Sequence, residues 1–239
     1  MAADSLIDAP EGVWQETFEL YELILKRKAK EKKKDKGKEL IELDNWFQQE
    51  LPAVIDKREE RYLTKEELIK LMQWKLSRGK FRPRLVDLIK SNSPETISEN
   101  TRMAFKLLPN IEKSIKKLSE LKGVGPATAS AILCAGCPQV PFMADEAMMT
   151  LPVGKGKLEY TMKAYLQYLE QLRSKCLSKL CKTDSVANWN EHKVELTLWT
   201  FVTASKLAPE LLPECKSSAA KRKREGTGSG ERDAKKTKK

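Results

Sequence analysis

The chain has 239 residues, of which 40% are hydrophobic and 33% charged, and its formal net charge is +11. This composition is typical of a globular protein with charged segments, and the length is sufficient for a sizeable core. No apolar run approaches the roughly 18 residues of a membrane-spanning helix, and the acidic N-terminal stretch lacks the pattern of a secretory signal. We therefore expect an intracellular protein with no membrane partner, whose five cysteines are reduced thiols.

Two short runs hold the positive charge of the chain. Residues 26–39 carry a net charge of +6 and residues 216–239 carry +7, which leaves about −2 for everything else. The first run is explained equally well by a solvent-exposed helix end and by a sequence-independent contact with phosphates, which salt would weaken. Net charge alone does not make this a nucleic-acid-binding protein.

Apolar residues recur at helical spacing along most of the chain, and strand patterns are almost absent. The first helix is predicted from Gly12 to about Lys34, and a second helix stops near Pro52, because proline has no N–H to donate inside a helix.

The middle of the chain predicts two helices with a basic junction. Thr64 and Glu67 form a capping-box pattern that opens a helix, and Gly79 ends it. A short helix then starts at Pro83. The basic residues at this junction are Arg78, Lys80, Arg82 and Arg84. They are either ordinary solvent-exposed charge or cations that face a DNA backbone.

Helical patterns continue to residue 207. One helix starts at Ser93-Pro94, and residues 110–121 bring Ile111, Ile115 and Leu118 onto one face. Two long helices, about 157–181 and 185–207, close the folded part. The patterns predict an all-α protein of about nine or ten helices.

Between the helices around Leu118 and Ile132, the run Lys-Gly-Val-Gly-Pro-Ala-Thr-Ala interrupts the chain sharply. Gly123 can take the left-handed conformation that ends a helix, and Gly125 leaves nearby backbone amides open. Pro126 suits the first position of the next helix. A helix N-terminus with unpaired amides binds anions.

The complete pattern is restrictive, with Leu118 and Leu121 placed before the glycines. It resembles the helix-hairpin-helix motif, which grips a DNA phosphate without reading sequence. The alternative is an ordinary pair of packed helices joined by a tight turn. The resemblance implies that double-stranded DNA contacts Gly123, Val124, Gly125, Pro126 and Thr128.

A second signal lies about twenty residues after the hairpin, where Asp145 stands in the stretch VPFMADEAMMT. The spacing resembles that of the helix-hairpin-helix DNA glycosylase superfamily, in which an aspartate lies beside a flipped-out nucleotide. The resemblance implies a catalytic Asp145, because breaking an N-glycosidic bond develops positive charge on the sugar that a carboxylate stabilises. The alternative is that Asp145 only caps the helix of residues 146–151.

Departures from the family narrow the expected chemistry. Members that also cleave the strand carry a lysine where this chain has Ala127, so the resemblance implies a monofunctional enzyme that releases the base alone.

The family hairpin often holds a monovalent cation through backbone carbonyls, which here would belong to Ser119, Leu121 and Val124. The iron–sulfur spacing of some relatives is absent, so we expect no cluster and no required cofactor. Cys134, Cys137, Cys176 and Cys181 leave a zinc site as a remote alternative.

The family fold also accounts for the layout of the chain. It resembles a bilobal arrangement over residues 11–208, with a central lobe of about 40–150 that contains the hairpin, 118–135. Residues 11–34 and 157–208 would form the second lobe, with DNA in the cleft. The chain is most similar to the Amun-type group of eukaryotic DNA glycosylase-like proteins, through Trp74–Leu85 and Pro141–Glu146.

The C-terminal residues 216–239 lack large apolar side chains and are predicted to be disordered. Their basic clusters, 221–224 and 235–239, resemble a bipartite nuclear-import signal. We therefore expect a nuclear protein that an import receptor binds through this tail; the alternative is a merely solubilising tail.

Two classes of function follow from these patterns. The first is a monofunctional DNA glycosylase, whose wedge and aromatic pocket have candidates only by residue type: Trp46, Trp74 and Phe142. The second is a non-catalytic nuclear DNA-binding or scaffold protein on the same fold. For His192, the only histidine, a structural or exposed role is expected. The oligomeric state and the damaged base are not predicted.

Overall fold

A computed structural model describes residues 4–80, 82, 84–181 and 188–214. Throughout these residues the protein is all-helical and has no strand, as the sequence predicts. None of the helices in the described part is long and apolar enough to cross a membrane. The predicted disorder and import signal of residues 216–239 lie outside the described residues.

The first half of the chain forms seven α-helices, α1 to α7, in the described residues. They are α1 Asp4–Ile7, α2 Glu11–Glu19, α3 Tyr21–Lys30, α4 Lys34–Asn45, α5 Leu51–Asp56, α6 Lys65–Arg78 and α7 Arg84–Lys90. The predicted first helix is therefore two helices that meet at Leu20, and it ends at Lys30 rather than Lys34.

Pro52 does not end its helix, contrary to the prediction. A π-helical turn, Trp46–Glu50, joins α4 to α5, and its wider turn lets the Leu51 amide donate to the Trp46 carbonyl. Pro52 follows Leu51, which closes this turn, and the wider π-helical turn accommodates a residue that has no N–H to donate. The helical path therefore continues to Asp56.

The second half of the described chain forms the remaining helices, α8 to α14. They are α8 Pro94–Lys106, α9 Ile111–Leu118, α10 Pro126–Gly136, α11 Asp145–Met149, α12 Met162–Leu172, α13 Ser178–Leu180 and α14 Glu191–Leu207. A π-helical turn, Arg173–Leu177, joins α12 to α13, and short 3-10 turns lie at Pro152–Gly154 and Pro209–Leu211.

Local capping chemistry explains several of these boundaries. The capping box at the start of α6 is confirmed, because Thr64 Oγ1 accepts the Glu67 amide and the Glu67 carboxylate accepts the Thr64 amide. Ser93 caps α8, and Asn190 caps α14. The last long helix begins at Glu191, so it is shorter than predicted.

The buried residues form one continuous apolar cluster that runs from Leu6 to Leu212. Helix α14 packs against α2, α3 and α11, and α10 packs against α5, α6 and α9. Helix α10 is buried along nearly its whole length, and the ring of Phe105 lies where a side chain at Gly136 would project. The hairpin and Asp145 are thus attached to the most buried part of the molecule.

Candidate nucleic-acid interface

The turn between α9 and α10 depends on Gly123. Its φ is +81°, in the left-handed region, and a Cβ there would lie 2.9 Å from the Cβ of Leu88. Glycine is needed for conformation and for space, since α7 lies directly beneath the turn. By contrast, a Cβ at Gly125 would meet nothing within 4 Å.

A side chain that sequence reasoning missed holds this turn in position. Asn92, just after α7, donates through Nδ2 to the Lys122 carbonyl at 3.0 Å and accepts the Lys122 amide at 2.9 Å. This two-way pairing fixes the hairpin to the preceding helix. The only available signal was an Asn at a helix C-terminus, where such a residue commonly satisfies the last carbonyls.

The hairpin presents two unpaired backbone amides. The amides of Thr128 and Ala129 donate to the Gly125 carbonyl at 2.9 Å. Those of Gly125 and Ala127 have no hydrogen-bond partner among the described residues. Because Gly125 is exposed and has no side chain, an anion can approach both donors at the N-terminus of the 11-residue helix α10.

The predicted hairpin contacts divide into two groups. Gly123, Gly125, Pro126 and Thr128 line one cavity of about 460 Å³. Val124 does not line it; its side chain is buried and its amide donates to the Leu121 carbonyl at 3.1 Å. Val124 therefore supports the hairpin from inside rather than offering a contact.

The same cavity, which we call the Asp145 pocket, contains the carboxylate of Asp145. Its charged lining residues are Lys28, Lys75, Arg78, Lys80, Arg82, Asp145, Glu146 and Lys206. Six cations face two carboxylates, so the pocket favours an anionic ligand. The hairpin and Asp145, about twenty residues apart in sequence, thus meet at one concave surface.

Asp145 does not cap its helix, so the capping alternative is wrong. The N-cap residue of α11 is Ala144, and no side chain caps it. Asp145 instead accepts a hydrogen bond from the Tyr160 hydroxyl at 2.7 Å and pairs with Lys80 Nζ at 3.1 Å. Burial and Asp145 raise the pKa of Tyr160, and the hydrogen bond to Asp145 raises that of Lys80. Tyr160 therefore stays a neutral donor and Lys80 a cation.

Two further lysines in the pocket were missed by sequence reasoning. Burial lowers the pKa of Lys75 to about 8, with Arg82 adding to the effect, and Lys75 has no ion-pair partner among the described residues. Burial also lowers the pKa of Lys28, although its ion pair with Glu146 at 3.2 Å opposes this. Lys28 lies in the basic run of residues 26–39 and Lys75 in the stretch Trp74–Leu85, but only the packing of α3 and α6 brings the two side chains to one pocket.

The basic junction does not form the single surface patch that the sequence suggests. Lys80, Arg82 and Arg84 are exposed, and the first two line the pocket. Arg78 is only 2% exposed, and two of its guanidinium nitrogens donate to Glu195 Oε1 at 3.1 Å. Arg78 is therefore buried in the wall of the pocket rather than exposed beside the other three residues.

Aromatic rings surround the Arg78 guanidinium. Its central carbon lies 4.7 Å from the ring centre of Trp199 and 5.4 Å from that of Trp74. Of the aromatic candidates, Phe142 lines the pocket, whereas Trp46 and Trp74 are buried in the core and do not line it. Trp199, which lines the pocket, was not predicted.

Two observations bear on the predicted metal sites. The Leu121 carbonyl already accepts the Val124 amide, but a carbonyl has a second lone pair, so a cation bound with Ser119 and Val124 remains a prediction. In the described residues no three potential ligands from His, Cys, Asp and Glu converge, and Cys134, Cys137, Cys176 and Cys181 are free thiols.

Comparison of the chain with protein-family models, with curated proteins and with solved structures gives no match.

Proposed function

We propose that this protein binds double-stranded DNA through its hairpin and removes a damaged or mismatched base in the Asp145 pocket, as a DNA N-glycosylase. The observation that carries the proposal is that the unpaired amides of Gly125 and Ala127 line the same cationic cavity as the Asp145 carboxylate. A phosphate held at those amides would leave the neighbouring sugar within the pocket.

The proposed chemistry uses groups of the chain itself. The Asp145 carboxylate would face the positive charge that develops on the sugar as the N-glycosidic bond breaks. Lys80 and Tyr160 hold both carboxylate oxygens in position. Ala127 offers no amine, so the hairpin itself supplies no group for strand cleavage, and we propose a monofunctional activity.

Two buried hydrogen-bond donors in the pocket have no partner within the described part of the chain and would pair with a flipped-out base. Arg78 Nε and Trp199 Nε1 lack hydrogen-bond partners, and both residues line the pocket. An unsatisfied buried donor is costly, and a flipped-out base that carries acceptors would satisfy such donors.

The bilobal helix-hairpin-helix glycosylase fold is part of the proposal. The packing of α2 and α3 on α14 supports a lobe made of both chain ends. The pocket draws Lys28, Trp199 and Lys206 from those ends and its remaining lining residues from the central segment and residues 158–160. A cleft between lobes is where DNA would lie. A monovalent cation on the carbonyls of Ser119, Leu121 and Val124 would stiffen the hairpin.

The decisive experiment is single-turnover base release from a panel of duplexes, each with one damaged or mismatched base. Asp145→Asn should lower release by about 100-fold or more and leave DNA affinity near that of the unmodified chain. Asp87→Asn, at an exposed aspartate in α7, is the matched control and should change neither. Release that survives Asp145→Asn would contradict the proposal.

One observation favours a non-catalytic DNA-binding or scaffold protein instead: the Asp145 carboxylate is already held by Tyr160 and Lys80. In that case no duplex releases a base, while plain duplex binds with an affinity that falls with salt.

The proposed site of action is the nucleus, reached through an import receptor on residues 216–239. A fluorescent fusion of the full chain should accumulate in nuclei, and a fusion without those residues should lose this preference. Equal distribution of the two would contradict it.

A further inference from the structure

A second cavity, of about 340 Å³, lies apart from the Asp145 pocket and shares no lining residue with it. Its wall contains Gln48, from the π-helical turn before α5, Cys134 of α10 and His192 of α14. We call it the Cys134 cavity. Three elements that are distant in sequence therefore bring a thiol, an imidazole and an amide together, and neither proposed DNA binding nor base removal uses them.

The three side chains form a hydrogen-bonded series. Cys134 Sγ lies 3.1 Å from His192 Nδ1, and His192 Nε2 lies 2.8 Å from Gln48 Oε1. The cysteine is 5% exposed, and the cavity is its route to a small reagent.

The surrounding network determines which imidazole nitrogen carries hydrogen. The Tyr21 hydroxyl is 2.9 Å from both Asp44 carboxylate oxygens, so it donates to Asp44. The Tyr21 oxygen therefore accepts from Gln48 Nε2 at 3.2 Å, which leaves Gln48 Oε1 as the atom facing His192. An amide oxygen only accepts, so His192 Nε2 carries a hydrogen.

His192 Nδ1 is consequently the nitrogen that can take the thiol proton. Glu195 Oε2 lies 3.5 Å from Nδ1 and would stabilise the imidazolium. Burial lowers the pKa of His192, but Cys134 and Glu195 outweigh burial and raise it to about 10. An activated thiol needs a base within hydrogen-bond reach and a third group that orients the base. Cys134, His192 and Gln48 supply these three parts.

The other described cysteines lack this arrangement. Burial raises the pKa of Cys176 to about 12 and also raises that of Cys137, whose Sγ donates to Gln139 Oε1 at 3.2 Å. Cys181 is exposed and has no imidazole beside it in the described part of the chain, since His192 is the only histidine.

We propose that Cys134 is a nucleophilic thiol, activated by His192 and oriented through Gln48, that is covalently modified by small, soft carbon electrophiles entering the Cys134 cavity. With an α,β-unsaturated carbonyl compound, Sγ forms a bond to the β carbon and the π electrons move to the α carbon. His192 then returns the proton to that carbon, so no leaving group and no oxidant are needed. The site goes beyond the proposed function and does not depend on it.

Iodoacetamide, in which sulfur displaces iodide, is a suitable probe on the full-length chain. Peptide mass spectrometry would give the alkylation rate of each cysteine between about pH 6 and pH 9. At about pH 7, Cys134 should react at least about ten times faster than Cys181, because only a few per cent of an ordinary thiol is ionised there. Its rate should be nearly flat with pH, whereas that of Cys181 should rise steeply.

Other titratable groups face this pair and belong to the interpretation of the profile. They are Glu191 and Glu195 of α14, Tyr165 and Tyr168 of α12, Arg173 of the following π-helical turn, Cys137, and Asp56 and Arg61 in the cavity wall. Tyr165 and Tyr168 have a pKa raised well above the ordinary value by burial, so they stay neutral over this range.

Two variants decide whether the neighbours activate the thiol. Gln48→Met removes the orienting oxygen at a half-buried position and should slow Cys134 alkylation several-fold, with Cys181 as the internal control. His192→Asn should slow it further; if this variant fails to fold, Gln48→Met and the pH profile still decide. A protected Cys134, a profile parallel to that of Cys181, or an unchanged rate in Gln48→Met would each overturn the proposal.

Discussion

The Asp145 pocket and the Cys134 cavity differ in their charged groups, although the buried ion pair of Arg78 and Glu195 contacts residues of both. The Asp145 pocket gathers an excess of cations around an exposed helix N-terminus, whereas the Cys134 cavity contains the hydrogen-bonded series of a thiol, an imidazole and an amide. Arg78 lines the first, and its partner Glu195 lies 3.5 Å from His192 in the second. The cationic Asp145 pocket favours binding of an extended polyanion, whereas the buried thiol of the Cys134 cavity is accessible only to a small molecule.

The largest expected effect comes from breaking the shared ion pair. Arg78→Met leaves Glu195 buried without its cation, which should destabilise the protein by about 3–5 kcal/mol in denaturant unfolding. Both cavities should be damaged, so DNA affinity and Cys134 alkylation should change together.

The control for this ion pair is the double variant Arg78→Met with Glu195→Leu, which removes both charges. It should recover much of the lost stability, because paired apolar replacements are often nearly neutral. A stable single variant would show that Arg78 and Glu195 do not depend on each other.

The second effect separates hairpin conformation from hairpin binding. Gly123→Ala should cost about 1–2 kcal/mol for the left-handed conformation alone, with more from the 2.9 Å approach to Leu88. Gly125→Asp meets open space, so it should keep thermal stability yet weaken binding to DNA of any sequence. Gly125→Asp should leave the alkylation rate of Cys134 in the other cavity unchanged. Unchanged DNA affinity in folded Gly125→Asp would contradict the anion site.

The third effect is the pH dependence that His192 gives to stability. The pKa of His192 is about 10 in the folded protein and ordinarily 6.5, but in the proposed pair the proton on His192 comes from Cys134. From about pH 6.5 to about pH 8.5, the ordinary pKa of a thiol, the folded and unfolded chains therefore hold the same number of protons. Stability should be level over this interval and fall as pH rises from about 8.5 towards 10, where the folded pair keeps a proton that the unfolded chain has lost. His192→Asn should flatten this part of the curve in thermal unfolding followed over pH; an unaltered slope would contradict it.

The smallest effect should have the opposite sign and arise in the Asp145 pocket. The pKa of Lys75 is about 8 against an ordinary 10.5, so between these values the unfolded chain binds the extra proton. Lys75 should therefore make stability rise with pH above about 8, while the pocket loses one positive charge. DNA affinity should fall more from pH 7 to pH 9 in the unmodified chain than in Lys75→Arg, which keeps its charge. Equal decreases would argue against a role for Lys75.

The sequence predicted more of the Asp145 pocket than of the Cys134 cavity. The hairpin turn and its glycines follow from short-range patterns, because left-handed turns and helix starts depend on neighbouring residues, whereas Asp145 was singled out only through the family resemblance. Cys134, His192 and Gln48 carry no such pattern, because their elements are up to 144 residues apart. Nor did the sequence reveal Asn92, although it fixes the hairpin.

Local chemistry in the sequence thus determined the all-α class, the capping box at Thr64 and the turn at Gly123. Tertiary packing decided that Arg78, the last residue of α6, is buried against Glu195, whereas Lys80, beyond the end of that helix, is exposed and pairs with Asp145. It also decided that Asp145 pairs with Tyr160 rather than capping α11. The physical reason is that backbone patterns depend on a few neighbouring residues, whereas the charge and burial of a side chain depend on every element packed around it.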